Sequence, residues 1–196
     1  MSDVLAAVRV HLRAHFDAEP DAASVTFLGT QSFDVLRFGP DDRPGLEGVV
    51  HYVSLGCSRE PMTDPAELVA DPVRGPRAEV VVSLRGPTPT GLARSVAVVA
   101  AAPAVEGLVL VPDALVDLGT PLWSGAPFTA FLLGRSDIAD VALPAPYDPV
   151  AVLSATPITA TEAAWVRLKG AEAMREAWQT DGVDVLDPAR RASSPS

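Results

Sequence analysis

Hydrophobic and polar residues alternate most regularly between residues 77 and 85. Four apolar side chains fall on one side of this segment: Ala78, Val80, Val82 and Leu84. The opposite side carries Arg77, Glu79, Ser83 and Arg85. Because side chains along a strand point to alternate faces, this pattern predicts an antiparallel strand with one apolar face and one face in water.

Other short runs rich in β-branched and aromatic residues predict further strands, at 24–29, 33–38, 49–55, 108–111, 128–133 and 150–154. The first two form an antiparallel pair across a short turn. The runs at 108–111 and 128–133 flank a hinge rich in glycine and proline, and they are apolar enough to be buried on both faces. We therefore expect the stretch 107–133 to form the centre of the domain.

Helical spacing appears first near the N-terminus, where Val4, Val8, Leu12 and Phe16 form one apolar stripe after a capping Ser2. A second helix is predicted over 92–102 and should stop at Pro103, although its apolar core also fits a strand.

Near the C-terminus, Thr159 and Glu162 have the spacing of a capping box. The segment that follows predicts two short helices with a break at Gly170, ended by Asp181 and Gly182.

Length and composition point to one domain. A chain of 196 residues can bury a sizeable core, so we assign 1–188 to a single domain and 189–196 to a disordered polar tail with nothing to bury. The single cysteine, Cys57, excludes an internal disulfide framework and favours a reducing compartment. No apolar window approaches the ~20 residues of a membrane span. These features together predict a cytoplasmic protein without membrane association.

The net charge of -10 argues against nucleic-acid binding, which depends on basic residues that neutralise phosphates. It would instead steer a basic protein toward the chain, although solubility alone also explains an acidic surface.

No motif specifies a reaction, a cofactor or a metal. Cys57 and His51 are too far apart along one strand to form a nucleophile pair, so Cys57 is interpreted as a packed apolar residue. His11 and His15 supply only half of a metal site and are assigned to a solvated helix face. The carboxylates are scattered, which leaves open an enzyme with a carboxylate-lined cleft.

Two further residues in the hinge region are candidate contacts. Asp117 lies in an apolar segment, and its burial would require a partner such as an arginine. Trp123 is either a core residue or a partly exposed anchor of the kind enriched in binding hot spots.

Several segments, taken in order, resemble the suppressor of fused (SUFU) domain family in its short bacterial form. They are VSLGCSREPM at 53–62, AEVVVSL at 78–84, LVPDALVDLGTPLWSG at 110–125, ATPITATEAAWVRLKGAEAMREAW at 155–178 and VDVLDPAR at 183–190. The resemblance spans nearly the whole chain except the polar tail.

The resemblance implies an α/β (α+β) fold in which helices flank a mixed, mostly antiparallel sheet. It also implies a protein-binding role without catalysis, because eukaryotic relatives sequester transcription factors and many bacterial relatives are regarded as immunity proteins that neutralise toxins. Partner contacts are expected at Ser58, Arg59, Glu60, Asp117 and Trp123. Besides the enzyme with a carboxylate-lined cleft, the other alternative is a domain that binds a small ligand in an apolar cavity near the central strands.

Overall fold

A computed structural model describes residues 3–196, which form one seven-stranded sheet with four helices. The strands are β1 (Asp21–Val25), β2 (Phe33–Phe38), β3 (Val49–Leu55), β4 (Arg77–Arg85), β5 (Leu115–Asp117), β6 (Phe128–Arg135) and β7 (Val150–Thr159). The helices are α1 (Val4–Phe16), α2 (Leu92–Glu106), α3 (Ala160–Lys169) and α4 (Ala171–Thr180), and a 3-10 turn spans Cys57–Arg59.

The strands lie in the order β1-β2-β3-β4-β7-β6-β5. Each neighbouring pair is antiparallel except β4 and β7, which run parallel. The predicted α+β class with a mixed, mostly antiparallel sheet is therefore confirmed. The stretch 107–133 is not central, however, because β5 is an edge strand and β6 is its only neighbour.

The helices cover both faces of the sheet. Helix α2 packs on one face, in the largest apolar cluster, which contains Val80 and Val82 of β4. Helix α1 packs on the opposite face, in a cluster that contains Val81. Helices α3 and α4 lie on that second face as well, over Ala130 and Leu132 of β6. Strand β4 is consequently buried on both sides.

Strand β4 thus contradicts the prediction of a water-facing side. Arg77 is only 3% exposed and Glu79 is fully buried. The alternation correctly located the strand, but α1 and nearby loops cover the side that carries the charged residues. Charges removed from water in this way need hydrogen-bond partners, and both residues have several.

Two predictions around α2 are also wrong. The helix passes Pro103 and ends at Glu106, because its final turn is still closed by hydrogen bonds from Gly107 and Leu108 to Pro103 and Ala102. Residues 108–111 are not a strand, since Pro112 interrupts the segment before pairing with β6 begins.

The other elements differ little from the predictions. The first strand lies at Asp21–Val25 and not at 24–29, and β7 continues five residues beyond the predicted end. The N-cap of α1 is Asp3, whose carboxylate accepts from Ala6 N at 3.1 Å, while Ser2 lies outside the described residues. The capping box of Thr159 and Glu162 is confirmed.

The expectation that residues 189–196 have nothing to bury is incorrect for Arg190. Its guanidinium donates to both carboxylate oxygens of Glu162 at 3.0 Å, and it lies over the rings of Phe128 and Trp178. Arg190 is 7% exposed and Glu162 is fully buried. The buried ion pair therefore fastens the C-terminal segment to the start of α3.

Candidate functional site

The loop after β3, which carries the candidate residues 58–60, is fastened to the sheet by the carboxylate of Glu79. One oxygen of Glu79 accepts from Gly56 N at 2.9 Å, from Ser58 N at 2.9 Å and from Ser58 Oγ at 2.6 Å. The other oxygen accepts from Ser54 Oγ at 2.5 Å. Four donors converging on one buried side chain fix the start of the 3-10 turn.

Arg77, two residues earlier on β4, binds carbonyl groups of the same loop. Its guanidinium donates to the carbonyl oxygens of Ser58 at 2.7 Å, Arg59 at 2.9 Å and Val73 at 3.2 Å. Glu79 thus binds amide groups of the loop and Arg77 binds carbonyl groups, which fastens the start of the loop and Val73 to β4.

Burial dominates the electrostatics of this region. It raises the pKa of the Glu79 carboxyl, although the four hydrogen bonds oppose the shift. Burial, followed by the nearby charge of Glu79, also raises the pKa of the Cys57 thiol well above its usual range. A protonated, buried thiol is a poor nucleophile, in agreement with the interpretation of Cys57 as a packed apolar residue.

The three loop candidates differ in exposure. Ser58 is fully buried, so it positions the loop and does not reach the surface. Arg59 is half-buried and donates to the carbonyl of Ser32 at 3.2 Å, while Glu60 is exposed. Of the three, only Arg59 and Glu60 present side chains to an approaching molecule.

Arg59 and Glu60 line a groove of about 340 Å³, which we call the loop groove. Its walls are the loop after β3, the turn that precedes β2 and the C-terminal half of α2. Leu28, next in sequence to the lining Gly29, is fully exposed. An exposed apolar side chain next to a groove can add contact area when another molecule binds there.

Asp117 and Trp123 line a second groove of about 560 Å³, on the other side of α2, which we call the α2 groove. Trp123 is 8% exposed, and its ring lies 5.5 Å from that of Phe128. The carboxylate of Asp117 is partly exposed and accepts from Arg167 at 2.7 Å, a bond that lowers the pKa of Asp117. Asp117 thus has the arginine partner that the sequence suggested, whereas Trp123 belongs mainly to the core.

A third pocket, of about 380 Å³, lies between α1 and the loop after β2. Here His51 Nε2 lies 2.8 Å from Asp41 Oδ2, and His51 Nδ1 lies 2.8 Å from Ser83 Oγ. Arg43 holds Asp41 in a forked pair and, with His51, keeps the pKa of Asp41 far below its usual range. The arrangement ties the loop after β2 to the sheet.

Sequence reasoning missed the roles of Arg77, Glu79, Asp41 and Arg190. A signal existed for Arg77 and Glu79, because charged residues that alternate with valines on a strand either lie in water or, when the strand is covered, need hydrogen-bond partners. Nothing in the local sequence linked Arg190 to Glu162, which lies 28 positions away.

Within residues 3–196, no group of three or more histidine, cysteine, aspartate or glutamate residues is arranged to hold a metal ion. No helix in the same range is long and apolar enough to cross a membrane.

Comparison with solved structures identifies the fold. A suppressor of fused homologue from Neisseria gonorrhoeae FA 1090 matches with a TM-score of 0.65 at 20% identity, covering 97% of this chain and 96% of that one. Sufu in the Sufu–Fu complex matches with a TM-score of 0.64 at 17% identity, over 96% and 91% of the two chains. Drosophila Suppressor of Fused matches with a TM-score of 0.66 at 16% identity, and the match covers 96% of this chain but half of that protein.

Comparison with functionally curated proteins finds no match. The sequence model of the family described as Suppressor of fused protein (SUFU) matches residues 29–191, which is most of the chain and includes both grooves beside α2. With the fold and this match in agreement, the chain belongs to the suppressor of fused family.

Proposed function

We propose that this chain is a non-catalytic cytoplasmic domain that binds a protein partner through the loop groove. The partner we propose is a basic toxin, which binding would neutralise, so that the chain acts as an immunity protein. The observation that carries the proposal is a groove lined by the charged Arg59 and Glu60, whose loop is hydrogen-bonded to the sheet, with the exposed Leu28 next in sequence to the lining Gly29.

Rigidity favours binding because little conformational freedom remains to be lost on association. Glu79 and Arg77 already hold the loop through hydrogen bonds to its amides and carbonyls. Leu28 can supply apolar contact area, while Arg59 and Glu60 can set the orientation of the partner.

The charge of the chain supports a basic partner. A net charge of -10 accelerates encounter with a cationic protein and disfavours acidic competitors. The Sufu–Fu complex supports protein binding as a use of this fold, since that relative was solved with a protein partner.

Addition of a partner strand to the sheet is a further route to affinity. Strand β1 forms one edge of the sheet and is almost entirely exposed. The chain passes from β1 directly into the turn that lines the loop groove, so one partner segment could pair with β1 while its side chains occupy the groove.

The test is co-purification with the product of the neighbouring gene, followed by titration of the purified pair. Leu28→Lys should weaken binding at least about tenfold, because it places a cation where a basic partner docks. Leu168→Lys, at a residue on α3 that is 74% exposed, is the matched control and should bind like the wild type.

Affinity should also fall as salt rises, since screening weakens attraction between the acidic chain and a basic partner. In cells, the wild-type chain and Leu168→Lys should protect against the toxin, whereas Leu28→Lys should not. Equal binding by the wild-type chain, Leu28→Lys and Leu168→Lys would remove the loop groove from consideration.

A further inference from the structure

The α2 groove follows the whole length of one helix face. Gly91, Ser95, Val98, Ala102 and Glu106 all line it, at spacings of three or four residues. Such spacing places them in one row along α2. The groove therefore runs along α2, which forms one wall.

The opposite wall is the hinge between β5 and β6. Leu118, Leu122 and Trp123 give this wall an apolar character. Ser95 Oγ donates to the carbonyl of Leu122 at 2.6 Å, and Ser124 N donates to the carbonyl of Thr90 at 2.9 Å. These bonds fix the hinge against the helix, so the groove is formed before anything binds.

Two charges stand at opposite ends of the groove. Arg94 lies in the first turn of α2 and Glu106 is its last residue, and both are exposed. Neither forms an ion pair or a side-chain hydrogen bond with any residue between 3 and 196. The charge of Asp117, by contrast, is already paired with Arg167.

Both charges oppose the dipole of their own helix. The positive end of α2 has no acidic residue in its first turn and carries Arg94, while its negative end has no basic residue and carries Glu106. This arrangement disfavours the free helix. A bound segment with an anion near Arg94 and a cation near Glu106 would compensate both ends at once.

We propose that the α2 groove binds an extended peptide segment of a protein partner, with an acidic residue against Arg94 and a basic residue against Glu106. Twelve helical residues separate the two charges by about 18 Å. An extended chain covers that distance in about five or six residues. The inference rests on the proposed role in protein binding, but it does not depend on the loop groove.

The probes are fluorescein-labelled peptides in which two charged residues lie six positions apart, separated by alternating valine and serine. One peptide carries glutamate and lysine, one carries two lysines, one carries two glutamates and one carries two glutamines. Anisotropy titrations with the full chain measure affinity. The indole resonance of Trp123 in a 15N-labelled sample reports whether the α2 groove is occupied.

The wild-type chain should bind the glutamate–lysine peptide at least about fivefold more tightly than the other three. Arg94→Glu should shift the preference to the two-lysine peptide, and Glu106→Lys should shift it to the two-glutamate peptide. Such exchanges of preference follow from direct charge contact, and a purely structural role for these residues would not produce them.

Both variants should fold, because each substitution favours the helix dipole. Arg135→Glu and Glu176→Lys are the matched controls, since both residues are exposed and lie outside the groove. They should leave the order of peptide affinities unchanged, and unfolding curves for all four variants establish that the comparison involves folded protein.

Equal affinity of the wild-type chain for all four peptides, or a preference that Arg94→Glu and Glu106→Lys do not alter, would overturn the proposal. The failure of either proposal can be recognised separately. Loss of partner binding in Leu28→Lys with no discrimination among the peptides removes only the α2 groove. Peptide discrimination without any binding to the neighbouring gene product removes only the toxin.

Discussion

Glu79 and Ser58 are joined by two hydrogen bonds, one from the amide of Ser58 at 2.9 Å and one from its hydroxyl at 2.6 Å. Both residues are fully buried, although one lies in a central strand and the other in a loop. This contact holds the backbone at Ser58 against the sheet, directly before Arg59 and Glu60, which line the loop groove.

Glu79→Ala should lower the free energy of unfolding by about 3–5 kcal/mol, because it leaves several buried donors without an acceptor. Glu79→Gln should cost less, since its amide oxygen can still accept from the loop. Urea titrations measure both losses. A change below about 1 kcal/mol for Glu79→Ala would show that the loop does not depend on this side chain.

The pH dependence of Glu79 has a defined sign. Burial raises its pKa in the folded chain, so the folded state binds the proton more tightly than the unfolded state. Lowering the pH from neutral toward the ordinary glutamate pKa should therefore stabilise the wild type relative to Glu79→Gln, which lacks the titrating group. Urea titrations of both proteins at several pH values give the difference, and a gap independent of pH would contradict the expectation.

Asp41 should behave in the opposite way, because Arg43 holds its pKa far below the ordinary value. Its ionised form stabilises the fold above the unfolded-state pKa of about 4, and this contribution is lost as the pH falls through the folded-state pKa. Asp41→Asn should cost about 1–3 kcal/mol at pH 7 and progressively less in acid. Asp42→Asn, at an exposed neighbour, is the control and should have little effect at any pH.

Arg190 tests whether the C-terminal segment belongs to the fold. Arg190→Ala should lower the free energy of unfolding by about 3–5 kcal/mol, since Glu162 would remain buried without its cation. A chain that ends at Pro188 should lose a similar amount, whereas one that ends at Ser194 keeps the pair and should lose much less. Equal thermal unfolding midpoints for all three chains would contradict the role of the pair.

Trp123 is expected to contribute to the stability of the fold. Trp123→Ala should cost about 3–5 kcal/mol because the side chain is nearly buried beside Phe128, and Trp123→Phe should cost less. Chemical unfolding followed by circular dichroism measures the difference. A folded Trp123→Ala protein of unchanged stability would identify the indole as a surface residue.

The sequence alone determined where most elements lie, because their periodicity is a local property. Strand β4 and the break at Gly170 followed from the spacing of residues along the chain. The order of motifs also identified the family. Arg59 and Asp117, which were expected to contact a partner, each line a groove in the structure. The sequence pattern did not predict either groove.

Tertiary structure alone decided which polar residues are buried and which charges meet. The alternation that located β4 could not show that both faces are covered. It therefore predicted that Arg77 and Glu79 lie in water, whereas both are buried in the structure. The pairing of Glu162 with Arg190 joins residues 28 positions apart, and only packing brings them together. Burial and ion pairing depend on contacts between distant segments, whereas the period of a strand or helix depends on neighbours in sequence.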